Sequence, residues 1–128
     1  RHRAMNRLVA VKLMTAEFCR DAARRAAFQQ EARAAAQLAH PNVVTVLDVN
    51  SAADRWYLVL EYIDGPNLGT VVRQRGPLPV RQACDFARQV AIGLQHAHEK
   101  GSLHGALTPS NLLVDRPGGR GRAERHIK

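Results

Sequence analysis

Aromatic side chains are scarce: three Phe, two Tyr and one Trp make up 5% of the 128 residues. Any core must therefore be built mainly from Ala, Val, Leu and Ile. Cysteine is scarcer still. Cys19 and Cys84 lie 65 positions apart, which excludes a disulfide scaffold and offers no metal-ligand spacing. Both fall in helical patterns, and reduced thiols in a cytoplasmic protein are expected. Long apolar runs are missing as well. The longest uncharged one, Val43-Val44-Thr45-Val46-Leu47, is far too short to cross a bilayer. Leu8 to Val11 is stopped by Lys12 before it could serve as a secretory signal. The chain opens on Arg1-His2-Arg3 rather than Met, as a piece of something longer would.

Acids are few, at 11 against 19 bases, and 16 of those bases are Arg. A net charge of +8 invites a nucleic-acid reading. Placement argues against it. Arg1, Arg3 and Arg7 crowd one end, and Arg116, Arg120, Arg122, Arg125 and Lys128 the other. Between them both signs alternate along helical patterns, as on solvated faces. No nucleic-acid partner is expected. A hydrophobic content of 45% excludes a disordered or collagen-like chain.

Residues 8 to 14 read as a strand rich in Val and Leu. Thr15 can cap the helix that follows, expected over 17 to 39 and closed by His40-Pro41. A second strand is predicted over 43 to 49 and a third over 56 to 63, joined by turn residues 50 to 54 and paired as a hairpin. Asp64-Gly65-Pro66-Asn67 breaks the chain. A short helix fits 67 to 75. A longer one fits 80 to 100, with Ala83, Phe86, Ala87, Val90, Leu94 and Ala97 on one face and Gly101 as its stop. In this chain alone Phe86, Val90 and Leu94 should remain partly exposed. Residues 104 to 111 read as an ordered loop, 112 to 114 as a short strand and 116 to 121 as a surface turn. The fold class is α+β. Strands dominate before the break at 64 to 67 and helices after it, which makes a pocket between two lobes the default binding site.

Lys12 interrupts an apolar strand. A lysine at a strand edge can simply reach water, but Glu31 suggests more. With Phe28 at 0° on a helical wheel of about 100° per residue, Ala35 falls near −20°, Glu31 near −60° and Leu38 near −80°. Glu31 then lies within the apolar arc, where a carboxylate needs a partner. A strand lysine facing the same space could provide one, and an ion pair between Lys12 and Glu31 is expected, the alternative being a helix swung out with the two side chains apart.

Val9-Ala10-Val11-Lys12, Glu31, His40-Pro41-Asn42-Val43-Val44, Leu58 to Gly65 and His104 to Asn111 follow one another in an order that resembles the protein kinase superfamily, bacterial Ser/Thr kinases above all. The resemblance implies a bilobal kinase fold in part, with a partial N-lobe over 1–63, a hinge exit at 64–67 and a partial C-lobe over 68–128. It implies ATP and Mg²⁺ as cofactors and a protein as substrate or partner. Lys12 would hold the α- and β-phosphates, oriented by Glu31. Ala10 and Leu113 would enclose the adenine, Leu60 would stand behind it, and backbone groups of Glu61 and Ile63 would bond its edge. Asn111 would be a Mg²⁺ ligand. The family's Gly-rich loop would precede residue 7, and its Asp-Phe-Gly would follow Lys128.

The loop departs from the pattern His-Arg-Asp-x-Lys-Pro-x-Asn. Gly105 stands at the Arg position, Ala106 at the catalytic Asp and Thr108 at the Lys. A methyl group can neither orient a substrate hydroxyl nor accept its proton. The resemblance therefore points to a pseudokinase that binds ATP and acts through binding or allostery. The alternatives are an active kinase with a non-standard loop and a basic interaction module that binds no nucleotide.

Overall fold

The computed structural model describes residues 6–53, 55–115 and 127–128. The expected turn at 116 to 121 lies outside them. The chain divides into two compact units, one of residues 1–39 and 44–62, the other of residues 40–43 and 63–128.

The first unit is a sheet with two helices. Strands β1 (Val9–Leu13), β2 (Val46–Ala52) and β3 (Arg55–Glu61) form an antiparallel sheet in the order β1-β3-β2. Among the described residues β1 and β2 are the outer strands, and Val11 and Leu13 of β1 are exposed. The hairpin of β2 and β3 forms as expected, with a register shift between Val46 and Asp48. β2 begins three residues later than the sequence suggests: Val43 belongs to the second unit, and Thr45, just before the strand, is bonded to the Glu61 side chain.

The single helix expected over 17 to 39 is two: α1 (Ala16–Arg20) and α2 (Ala22–Ala36). Thr15 caps the first, its Oγ1 accepting from Phe18 N at 3.2 Å. Asp21 divides them. Its backbone is extended, and its carboxylate accepts from Arg24 N at 3.0 Å, capping α2. Phe18 and Phe28 meet edge to face at 5.4 Å across this corner. α2 ends at Ala36 and tightens through Leu38 N donating to Ala35 O at 3.0 Å. Ala32, Leu38 and Val59 are buried.

The second unit is helical. Asn67 Oδ1 accepts from Thr70 N at 2.8 Å and caps α3 (Leu68–Arg75). α4 (Val80–Glu99) closes with Gly101 in the left-handed region at φ +73°, and Ser102 N donates back to Ala97 O at 2.9 Å. A 3₁₀ turn spans Pro109–Asn111. Residues 112 to 114 contribute isolated bridges rather than a strand, Leu113 to Asn67 and Val114 to Ile127.

Phe86 departs from expectation. It is buried, packed with Val71, Val114 and Ile127, while Leu68, Leu78, Val90 and Leu112 pack around them. The inward face of α4 runs through Phe86, Gln89, Gly93 and Ala97. That face lies roughly one residue away from the stripe through Ala83 and Ala87, both of which are exposed.

A buried polar network fastens residues 40 to 43 to α4. Asn42 Nδ2 donates to Gln89 Oε1 at 3.0 Å and to Ile127 O at 2.8 Å. Ile127 N donates to the same Gln89 oxygen at 3.1 Å, and Gln89 Nε2 donates to Asp85 at 2.8 Å. Gly93 makes the approach feasible: a Cβ there would lie 2.9 Å from Asn42 O.

Candidate nucleotide site and catalytic loop

In the first unit, strand register determines which side chains share a face. Ala10 pairs with Leu60 and Lys12 with Leu58. Opposed residues of an antiparallel pair project to the same side, so Ala10, Lys12, Leu58 and Leu60 line one face of the sheet. The three residues assigned to adenine, phosphate and pocket back are thus brought together by β1 and β3.

Glu31 does not join them through an ion pair. Lys12 and Glu31 are both exposed, and no ion pair forms between them. The wheel erred at Leu38, which lies beyond the end of α2 and does not mark the helix's inner face. The inward residues of α2 are Arg25, Phe28, Gln29, Ala32 and Ala35, with Ala32 fully buried. They centre about 40° from Phe28 on one side, and Glu31 lies about 60° away on the other.

Glu61 is 6% exposed. Its Oε1 accepts from Thr45 N at 2.9 Å and from Thr45 Oγ1 at 3.1 Å, and its own N–H donates to Thr45 O at 3.0 Å. The carboxylate thus fixes the end of β3 against the residue preceding β2 and positions the backbone leading out of the strand. A buried carboxyl group bonded in this way meets the requirement that interior polar groups be satisfied.

In the second unit Ile63 is buried, and its carbonyl accepts from Gly65 N at 3.0 Å. Among the described residues no acceptor lies within reach of its N–H. Leu113 is half-buried. Its N–H donates to Lys128 O at 2.7 Å and its carbonyl accepts from Lys128 N at 2.9 Å. Gly65 allows the neighbouring backbone to close in: a Cβ there would lie 1.8 Å from Val114 O.

The loop at 104 to 111 is exposed and well bonded. Ala106 N donates to His104 O at 2.8 Å and lies 3.3 Å from His104 Nδ1. Asn111 Nδ2 donates to Ala106 O at 2.8 Å, and Asn111 N donates to Thr108 O at 3.0 Å. Gly105 sits at φ +68°, and a Cβ there would meet nothing within 4 Å. Because the Asn111 amide nitrogen is committed to Ala106, its oxygen is the atom left for a hard cation, a suitable donor for Mg²⁺. It is one oxygen of several such an ion needs, and no group of three His, Cys, Asp or Glu residues gathers among the described residues.

The family model for the protein kinase domain matches residues 1–126. The chain belongs to the protein kinase family. It is 40% identical over 118 residues to a probable serine/threonine-protein kinase of Clostridium perfringens, covering 92% of this chain and 17% of that protein. It is 32% identical over 114 residues to the serine/threonine-protein kinase PrkC of Bacillus subtilis, covering 89% of this chain and 18% of that one. A crystal structure of the Mycobacterium tuberculosis PknI kinase domain superposes with a TM-score of 0.85 at 26% identity, over 99% of this chain and 50% of that domain. The chain therefore spans under a fifth of these curated relatives and half of the solved kinase domain. Its fold is part of a kinase fold, comprising N-lobe elements and the start of the C-lobe. No helix among the described residues is long and apolar enough to cross a membrane.

Sequence reasoning missed the Asn42–Gln89–Ile127 network. A glutamine inside an otherwise apolar helix face was the one signal of it, but its partners are 47 and 38 residues away.

Proposed function

We propose that this chain is the middle of a serine/threonine protein kinase domain that binds ATP with Mg²⁺ and transfers phosphate poorly. One observation carries the reading: Ala106 occupies the catalytic aspartate position in a loop whose backbone is braced by His104 and Asn111. The scaffold of the loop is kept while its base is gone. Supporting it, Ala10, Lys12 and Leu60 share a sheet face, and Ile63 presents an uncommitted N–H suited to an adenine edge. Against efficient transfer stand Thr108 at the lysine position and the open geometry of Lys12 and Glu31. Ground-state binding and transition-state stabilisation are separable, so the second can fail while the first survives.

The test uses the full-length protein that carries this chain. ATP binding and phosphotransfer are measured side by side. The expected result is binding that Lys12→Arg weakens at least tenfold, with turnover well below the usual kinase range of about 1–100 s⁻¹. Ala106→Asp combined with Thr108→Lys raises transfer. Wild-type turnover within that range would identify an active kinase with a non-standard loop. No nucleotide binding would identify an interaction module.

A further inference from the structure

The first unit holds a pocket of about 610 Å³ that none of the candidate nucleotide residues lines. Three arginines line it, from three separate places in the sequence: Arg20 at the end of α1, Arg25 in α2 and Arg55 at the start of β3. Trp56 and Cys19 contribute to its walls. Among the described residues no acidic side chain lines it. Asp21, the acid nearest Arg20 in sequence, is occupied by Arg24 at 3.3 Å. Asp54 lies outside the described residues.

We propose that this pocket binds a phosphate monoester carried on an apolar or aromatic body. Three arginines lining one cavity place like charges around a single space, and a compact dianion bound there offsets their mutual repulsion, which reaches over a Debye length of about 8–10 Å. Guanidinium also matches phosphate geometrically, offering paired N–H donors. One of the three is already oriented. Arg25 Nη1 donates to Cys19 O at 2.6 Å, which fixes the side chain while leaving most of its five N–H donors for a ligand. Cys19 is itself held, its Sγ accepting from Trp56 N at 3.4 Å. The wall is therefore braced from α1 through to β3. The volume exceeds what a bare phosphate fills and falls within the range of about 300–1,000 Å³ typical of small-molecule sites. The half-buried Trp56 offers the ester's organic part a surface to pack against. The same chemistry can come from a phosphorylated side chain of a protein or from a small phosphate ester.

Trp56 lines the pocket, so the part of the fluorescence change that a Trp56→Phe substitution removes reports occupancy. Phenyl phosphate and an alanine-flanked phosphothreonine pentapeptide are titrated into the full-length protein that carries this chain, with phenol as the uncharged control. The expected result is saturable quenching by phenyl phosphate and none by phenol. Lys12→Arg leaves the affinity unchanged, and Arg20→Gln with Arg55→Gln weakens it tenfold or more with far-ultraviolet circular dichroism intact. Should that double variant unfold, Arg55→Lys, which keeps the charge and loses the fork, lowers affinity about threefold. A peptide bound at least tenfold tighter than phenyl phosphate identifies a phosphoprotein segment as the source. The reverse order identifies a small ester. No saturable binding of either probe, or binding unaffected by the arginine substitutions, overturns the proposal.

Discussion

Asn111 holds Ala106: the asparagine amide donates to the alanine carbonyl at 2.8 Å, so a residue without a functional group is kept in a defined position. The bond is exposed, and replacing Asn111 by Leu should cost about 1 kcal/mol of stability. The larger effect is on rescue. With Asn111→Leu in place, Ala106→Asp together with Thr108→Lys should fail to raise phosphotransfer, because the restored carboxylate is no longer positioned and the oxygen proposed for Mg²⁺ is gone. Single-turnover transfer by the triple and double variants checks this.

Gly65 and Gly105 should respond very differently to alanine. At Gly65 the new methyl meets Val114 O at 1.8 Å, and the backbone must separate at a cost of about 3 kcal/mol or more. At Gly105 it meets nothing within 4 Å, but φ is +68°, and only the left-handed strain of about 1–2 kcal/mol applies. Denaturant midpoints of the two variants give the comparison.

Gln89→Leu should destabilise the second unit by about 1–3 kcal/mol, because Ile127 N loses its acceptor and Asn42 loses one of its two. Asn42→Ala should cost a similar amount. The double variant should cost clearly less than the sum, since both substitutions break the same network. Equilibrium unfolding of the three variants completes the cycle, and strict additivity would contradict the network.

Acidification should weaken the fold through His40. Its pKa is held below 6.5, first by burial and then by the neighbouring His96 and Lys128 charges. His40 also uses Nδ1 as an acceptor for Asn42 N–H at 3.1 Å, and it stacks on His96 at 5.1 Å. His96 Nε2 is buried without a partner among the described residues. A lowered folded pKa means the unfolded chain takes up the proton more readily. Stability is therefore complete above about pH 6.5 and declines as pH falls below it. His40→Gln should flatten thermal stability between about pH 7 and 5.5 relative to the parent chain.

What the sequence disclosed was mostly local. Thr15 capping α1 and Gly101 ending α4 depend on residues a few positions apart, and both form. The corner at Asp21 was hidden because Ala and Arg on both sides favour helix, and only the extended backbone of one capping residue separates α1 from α2. Glu31 was misplaced by a single residue, Leu38, which is buried for tertiary reasons outside the helix. The shared face of Ala10, Lys12 and Leu60 followed from strand alternation once register was known. The arginine pocket could not be read at all. Arg20, Arg25 and Arg55 come from α1, α2 and β3, and only folding brings them to one cavity.

The register of β1 on β3 changes how its lysine must be studied. Lys12 lies opposite Leu58, on the face it shares with Ala10 and Leu60, and it is the only charge in Val9–Leu13. Replacing it with Met or Ala would make that strand wholly apolar at the same time as it removed the phosphate contact that family resemblance assigns to it, so lost solubility and lost nucleotide binding would arrive together. Arginine keeps the charge while changing the phosphate contact, so a Lys12→Arg comparison separates the two effects.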